Sequence, residues 1–101
     1  MKHGSALETA CGKCHVTRDI LSKLFGLIEL FDKAQDAYVH AKEYKQTEKR
    51  IARVYQPVKM QNFEAKESYN CIVMRWCIGY LNDIEAIIFL KKCGSWLRRS
   101  W

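Results

Sequence analysis

The chain has 101 residues, 49% of them hydrophobic, and its 17 Lys and Arg against 11 Asp and Glu give a formal net charge of +6. The apolar fraction and the single proline exclude a disordered chain, and the length predicts one domain with a modest core. The positive charge favours nucleic acid or an anionic membrane or protein surface as partner.

The number of cysteines and the polar N-terminal residues indicate in which cellular compartment the protein is expected. Five cysteines cannot all pair, and Met1-Lys-His-Gly-Ser5 has no apolar signal-peptide core after it. The most apolar run, residues 84–90, contains Glu85 and is too short to cross a bilayer. We therefore predict reduced thiols, a cytoplasmic location and no transmembrane segment.

The N-terminal segment, residues 1–16, has one distinctive feature, the pattern Cys11-Gly-Lys-Cys14-His15. C-x-x-C-H attaches c-type haem, and two thiolates with an imidazole can also bind zinc. No second ligand pair completes a zinc site. The alternatives are packing or a redox-active thiol pair, so our expectation is no cofactor, with Cys11, Cys14 and His15 as the candidate zinc or haem ligands.

A helix is predicted over 17–40. Its apolar residues follow one another at steps of three and four: Ile20, Leu24, Leu27, Phe31, Ala34 and Tyr38. From Ala37 to Gln56 the apolar face turns by roughly 140°. This change predicts a second helix over 43–56, with a kink or break between about Tyr38 and Thr47; one helix of about 40 residues is the alternative.

The second helix carries a row of basic residues. Lys42, Lys45, Lys49 and Arg53 share one predicted face, with Arg50 beside it. Amines at this spacing can follow a phosphate backbone, although a solvated face with Glu43 and Glu48 as ion-pair partners explains them equally well. Pro57 then ends the segment.

The last third is predicted to be a long helix over 62–93. Asn62 can cap it, apolar residues recur at helical spacing, and Gly94 marks its end. Cys71, Cys77 and Cys93 are expected to pack as small hydrophobes.

A basic and aromatic tail follows over 94–101. Trp96, Arg98, Arg99 and Trp101 could stack on bases and neutralise phosphate, or anchor at a membrane interface. Alternatively, Trp96 folds back over the core.

Together these segments predict an all-α fold, an up-and-down bundle of three to four helices whose wide apolar stripes favour a homo-oligomer. No G-x-S-x-G, H-E-x-x-H or glycine-rich phosphate loop is present, so the sequence predicts a non-enzymatic protein.

One family resemblance lies at the C-terminal end. The stretch Gly94-Ser95-Trp96-Leu97-Arg98 resembles the helix end of the accessory variability proteins of diversity-generating retroelements, and the run Leu27–Phe31 is similar to their second helix. The resemblance implies a four-helix bundle that assembles as a ring and accompanies a reverse transcriptase and nucleic acid. It implies no catalytic residue.

Three functions follow from these patterns. The first is nucleic-acid binding as an accessory subunit, through Lys42, Lys45, Lys49, Arg50, Arg53, Arg98, Arg99 and Trp101. The second is a protein–protein adaptor or inhibitor acting through an apolar helix face. The third is a haem or zinc protein.

Overall fold

The computed structural model describes residues 4–9, 20–74 and 81–98, and they form a parallel sheet with helices. The strands are β1 (Ser5–Thr9), β2 (Leu27–Phe31), β3 (Ile51–Val54) and β4 (Cys71–Met74). The helices are the short α1 (Ser22–Leu24), α2 (Gln35–Thr47) and α3 (Asp83–Trp96), and a 3₁₀ turn covers Met60–Asn62.

The strand order in the sheet is β3-β2-β1-β4, and every pairing is parallel. Ala6 of β1 lies opposite Ile28 of β2 on one side and Cys71 of β4 on the other. The β2–β3 register shifts by one residue between Ile28 and Glu29, which is a β-bulge.

This architecture contradicts the predicted all-α bundle, and the physical reason lies in the strands. In β2, Ile28, Glu29, Leu30 and Phe31 are all buried in succession. Parallel strands are covered on both faces, so they appear in a sequence as continuous apolar runs instead of an alternating pattern. The range 17–40 contains α1, β2 and the start of α2. The apolar residues of these three elements happen to follow one another at steps of three and four, which is why the sequence predicted one helix there.

The other predicted helices are also wrong in their bounds. The range 43–56 contains the end of α2 and all of β3, and the range 62–93 contains β4 before α3 begins at Asp83. The predicted kink between about Tyr38 and Thr47 is absent because α2 runs unbroken to Thr47. The apparent change of face came from a helix followed by a strand.

The start of α3 has a clear local cause. Asn82 accepts a hydrogen bond from the Glu85 amide at 2.8 Å, and the Glu85 carboxylate accepts one from the Asn82 amide at 3.1 Å. This capping box satisfies two amides that the helix itself leaves unpaired. Gly94 lies inside α3 instead of ending it.

Two core clusters cover the two faces of the sheet. On the α2 face the buried members are Ala6, Leu21, Ile28, Leu30, Ala41 and Ile51. On the α3 face they are Leu7, Phe31, Met60, Phe63, Tyr69, Phe89 and Cys93. Cys93 thus packs as a small hydrophobe, as predicted. Within the described residues, no helix combines the length and the apolar character that crossing a membrane requires.

Candidate functional site

The order of the strands defines where a ligand can bind. The chain passes from β1 to β2 and β3 on one side of β1, and later returns to place β4 on its other side. The helices α2 and α3 lie on opposite faces of the sheet. In open parallel sheets, ligands bind outside the carboxyl ends of the strands at the point where the strand order reverses, which here lies between β1 and β4. Because all strands are parallel, this edge also includes the ends of β2 and β3.

Asp32 lies at this edge, directly after β2. Its Oδ1 accepts a hydrogen bond from the Ala34 amide at 3.0 Å, which shapes the turn into α2, and its carbonyl accepts one from the Val58 amide at 3.0 Å. The residue is half-buried. A carboxylate has about four acceptor positions, so Asp32 can also accept hydrogen bonds from a ligand. In doubly wound folds, an acid about 20 residues after the first strand binds ribose hydroxyls.

A second acidic residue, Glu8, lies near this edge. Glu8 is the penultimate residue of β1 and is 3% exposed. Glu8 and Asp32 therefore lie near the carboxyl ends of neighbouring strands.

The segment after β3 forms a wall beside Asp32. The Val58 amide ties its start to Asp32, and the Phe63 ring at its end stacks on Phe31, with ring centroids 3.9 Å apart. Between them lie the buried Met60 and the half-buried Gln61, which carries both a donor and an acceptor. An apolar side chain next to an amide is suited to a planar, polar-edged ring such as a nucleobase.

A buried polar network holds this wall to the sheet. Glu29 Oε1 accepts hydrogen bonds from the Tyr55 hydroxyl at 2.6 Å and from the Tyr69 hydroxyl at 2.5 Å. Burial and the hydrogen bonds with Glu29 and Tyr55 raise the pKa of Tyr69 well above its ordinary value of 10.0. Tyr69 therefore remains a protonated donor at neutral pH.

Arg53, one of the predicted nucleic-acid contacts, belongs to this network. Its Nη1 lies 3.8 Å from Glu29 Oε2 and donates to the Tyr55 hydroxyl at 3.4 Å. The hydrogen bond with Tyr55 and the charge of Glu29 raise the pKa of Arg53 further. The guanidinium thus faces a carboxylate of its own sheet.

The structure divides the rest of the predicted basic row. Lys42 and Lys45 are exposed on α2, whereas Lys49 and Arg50 follow the end of that helix at Thr47. The Arg50 guanidinium pairs with Glu48 at 2.8 Å. Since α2 ends before Lys49, the single helical face that the prediction required does not exist.

The tail residues are tied to the chain before β4. Arg98 donates from Nε to the Ser68 carbonyl at 3.3 Å and from its amide to the Tyr69 carbonyl at 2.8 Å. Trp96 contacts Phe63 and Phe89 edge-on, which confirms the interpretation that it folds back over the core. Arg99 and Trp101 lie outside the described residues.

The predicted metal ligands Cys11, Cys14 and His15 also lie outside the described residues, so their role stays a prediction. Among the described residues, no group of three potential ligands could hold a metal ion.

Comparison with known proteins identifies the class of fold. The fold is that of methyltransferases that use S-adenosylmethionine (AdoMet). A Leishmania major AdoMet-dependent methyltransferase superimposes with a TM-score of 0.80 at 23% identity, covering 94% of this chain and 38% of that protein. The Haemonchus contortus phosphoethanolamine N-methyltransferase 1, in complex with phosphoethanolamine and S-adenosylhomocysteine, gives a TM-score of 0.83 at 20% identity, covering 97% and 21%.

The sequence match is more specific. The profile of the AdoMet dependent proline di-methyltransferases matches residues 1–100, and the chain belongs to this family. The N-terminal Xaa-Pro-Lys N-methyltransferase 1 of Bos taurus is 33% identical over 94 residues, which are 92% of this chain and 42% of that protein. The chain thus spans less than half the length of the curated relatives it matches.

The family assignment corrects three predictions. The resemblance to accessory variability proteins is wrong, since two short stretches, Gly94–Arg98 and Leu27–Phe31, carry less information than a match over residues 1–100. The non-enzymatic, nucleic-acid-binding function is contradicted by a family of methyltransferases. The expectation of no cofactor is contradicted as well, because relatives of this fold use AdoMet.

Sequence reasoning missed Asp32, Glu8 and the wall around Gln61. A signal was present for Asp32, because it directly follows a short apolar run and lies about 20 residues after the end of β1, as the ribose-binding acid does in doubly wound folds. No sequence signal marks Gln61, whose place depends on the stacking of Phe63 on Phe31.

Proposed function

We propose that this chain binds AdoMet at the carboxyl ends of β1, β2 and β4 and serves as the cofactor-binding part of an N-methyltransferase. The observation that carries the proposal is the half-buried carboxylate of Asp32 beside the point where the sheet order reverses. Ligands of open parallel sheets bind at that point. Family membership supports AdoMet as the ligand.

The residues present fit this cofactor. Asp32 would accept hydrogen bonds from the ribose hydroxyls, and the wall of Met60 and Gln61 would contact the adenine. AdoMet carries no pyrophosphate, so the site does not need the glycine-rich phosphate loop that the sequence lacks. When bound, the cofactor supplies a methyl group activated by the positive charge on its sulfur.

The substrate belongs to the same proposal. The relatives are named N-terminal Xaa-Pro-Lys N-methyltransferases, so we propose the amino-terminal nitrogen of a protein as the methyl acceptor. Such a substrate carries a lysine, and a chain with net charge +6 does not attract it from a distance. Local contacts must therefore recognise it. A cytoplasmic location is also part of the proposal, supported by the reduced thiol of Cys71.

The cofactor site is tested by titrating the chain with AdoMet and S-adenosylhomocysteine in a calorimeter. Asp32→Ala removes a charge-assisted hydrogen-bond acceptor, so we expect binding to weaken by about 10- to 100-fold. Asp36→Ala is the matched control, because Asp36 is an exposed acid in the first turn of α2 and should leave binding unchanged. The absence of binding by the folded wild type would overturn the proposal.

The substrate is tested with isotopically labelled AdoMet and a peptide that begins Xaa-Pro-Lys. Methyl incorporation is expected with the free amino terminus and not with the same peptide acetylated there. Equal incorporation into both peptides would show that the acceptor is a side chain. Cofactor binding without any incorporation would restrict this chain to the binding role.

A further inference from the structure

The outer side of α3 is an apolar surface that the described residues leave uncovered. The helix packs Phe89 and Cys93 against the sheet. On its opposite side Ile84, Ile87 and Ile88 are 71%, 56% and 51% exposed, and Leu90 beside them is 48% exposed. Scattered exposed apolar residues are ordinary, but four on two turns of one helix form a contiguous patch of the kind that marks interaction sites.

The outer side of α2 differs. Its large exposed hydrophobic residue is Val39, at 48%, and its neighbours on that helix are mainly charged or polar. Both helices cover the same sheet, so a requirement of the fold does not explain the isoleucines of α3. Their exposure calls for a partner surface.

The charges that flank the patch indicate which partner fits. Asp83 lies at one end and Lys91 at the other, and both are exposed. Each is four residues from Ile87, and Ile84 and Leu90 are each three residues from it. If a second α3 lies antiparallel with the two-fold axis at Ile87, Asp83 faces Lys91 of the other copy and Ile84 faces Leu90. The patch is therefore complementary to itself, which is the condition for an isologous interface.

Antiparallel packing is also favoured by the helix itself. It places the positive end of each helix dipole beside the negative end of the other. A parallel arrangement would instead place Asp83 beside Asp83 and Lys91 beside Lys91. The apolar centre with a charged pair at each end matches the usual anatomy of an interface, in which charge surrounds an apolar core.

We propose that two copies of this chain associate through α3, antiparallel about Ile87, into a symmetric dimer. The inference is independent of the proposed activity, because it uses only the outer side of α3. The partner is a second copy of this chain, because a second α3 matches both the apolar centre of the patch and the charges at its ends.

The first experiment measures the mass of the full chain by sedimentation over a range of concentrations. The wild type is expected to be a dimer. Ile87→Lys places two like charges at the two-fold axis and should raise the dimer dissociation constant by at least about 100-fold. Val39→Lys, the matched control on α2, should leave it unchanged. A monomeric wild type at all concentrations, or equal weakening by both variants, would overturn the proposal.

The second experiment tests the pairing by charge reversal. Asp83→Lys and Lys91→Asp each create two like-charged contacts and should each weaken the dimer by about tenfold. In the double variant the opposite charges face each other again, so affinity should return to within about threefold of the wild type. A double variant weaker than either single variant would exclude the two-fold arrangement. Circular dichroism of each variant confirms that it is folded.

Discussion

The two faces of the sheet are packed by different means. The buried side chains on the α2 face are all aliphatic, and two of them are alanines, Ala6 and Ala41. The α3 face is filled by aromatic rings and contains the buried carboxylate of Glu29 with its two tyrosine donors. On the α2 face, a substitution that adds volume should destabilise the protein by overpacking. On the α3 face, a substitution that removes a hydrogen-bond partner or a ring should destabilise it by leaving a polar group unpaired or a cavity. The candidate site adjoins the second face.

The largest effect is expected from Phe63→Ala on the α3 face. Phe63 stacks on Phe31 and meets Tyr55 and Trp96 edge-on. Its removal should lower the free energy of unfolding by about 3–5 kcal/mol, measured by urea denaturation. The comparison variant Ile51→Val, on the α2 face, should cost about 0.5–1.5 kcal/mol. Equal losses would contradict the difference between the faces.

On the α2 face, a substitution that adds volume should lower the free energy of unfolding. Ala41 is 0% exposed, where α2 packs on the sheet, so Ala41→Leu should cost about 1–3 kcal/mol through overpacking. Val39→Leu adds a methylene group on the outer side of the same helix and should change stability by less than about 0.5 kcal/mol. A neutral Ala41→Leu would reveal unfilled space between α2 and the sheet.

A smaller effect, about 1–2 kcal/mol at neutral pH, is expected from Tyr69→Phe, which removes one hydrogen bond to Glu29. The pH dependence sharpens the test. Burial and the bond with Glu29 raise the pKa of Tyr69 in the folded state above its ordinary 10.0, so the unfolded state loses this proton first. The wild type should therefore lose stability as pH rises above about 10.

The variant should lose less stability over the same alkaline range, because it lacks the group that titrates. Tyr38→Phe, on α2 at the opposite face of the sheet, is the control and should follow the wild type. Denaturant midpoints measured from pH 8 to pH 11 provide the comparison. Parallel curves for the wild type and Tyr69→Phe would contradict the role of the network.

The sequence allowed part of this structure to be predicted. The helical spacing of Ile84 and Ile88, the burial of Cys93 and the return of Trp96 to the core all rest on local pattern, and the structure confirms them. The strands could not be distinguished by period, since β2 is buried on both faces. The short length of the apolar run Leu27–Phe31 and the acid directly after it were the better signals, and they would have pointed to Asp32.

The candidate site was harder to predict for a physical reason. Its wall depends on contacts between segments far apart in the chain, such as the stacking of Phe63 on Phe31 and the bond from Val58 to Asp32. Neither composition nor local spacing indicates which distant segments will contact each other. The pattern Cys11-x-x-Cys14-His15 lies outside the described residues, so the metal site that it suggested stays a prediction.

The purely parallel pairing has a consequence for how this chain folds. β1 is completed by β4, and Asn70, next to β4, bonds to the Ser5 amide 65 residues away. Contacts so distant in sequence form late, because the entropy of closing the intervening loop must be overcome first. Synthesis proceeds at about 5–20 residues per second, so the backbone groups of β1 that pair with β4 remain unpaired for several seconds. We therefore expect the docking of β4 to limit the folding rate, and nascent chains that end before Cys71 to be the most prone to aggregate.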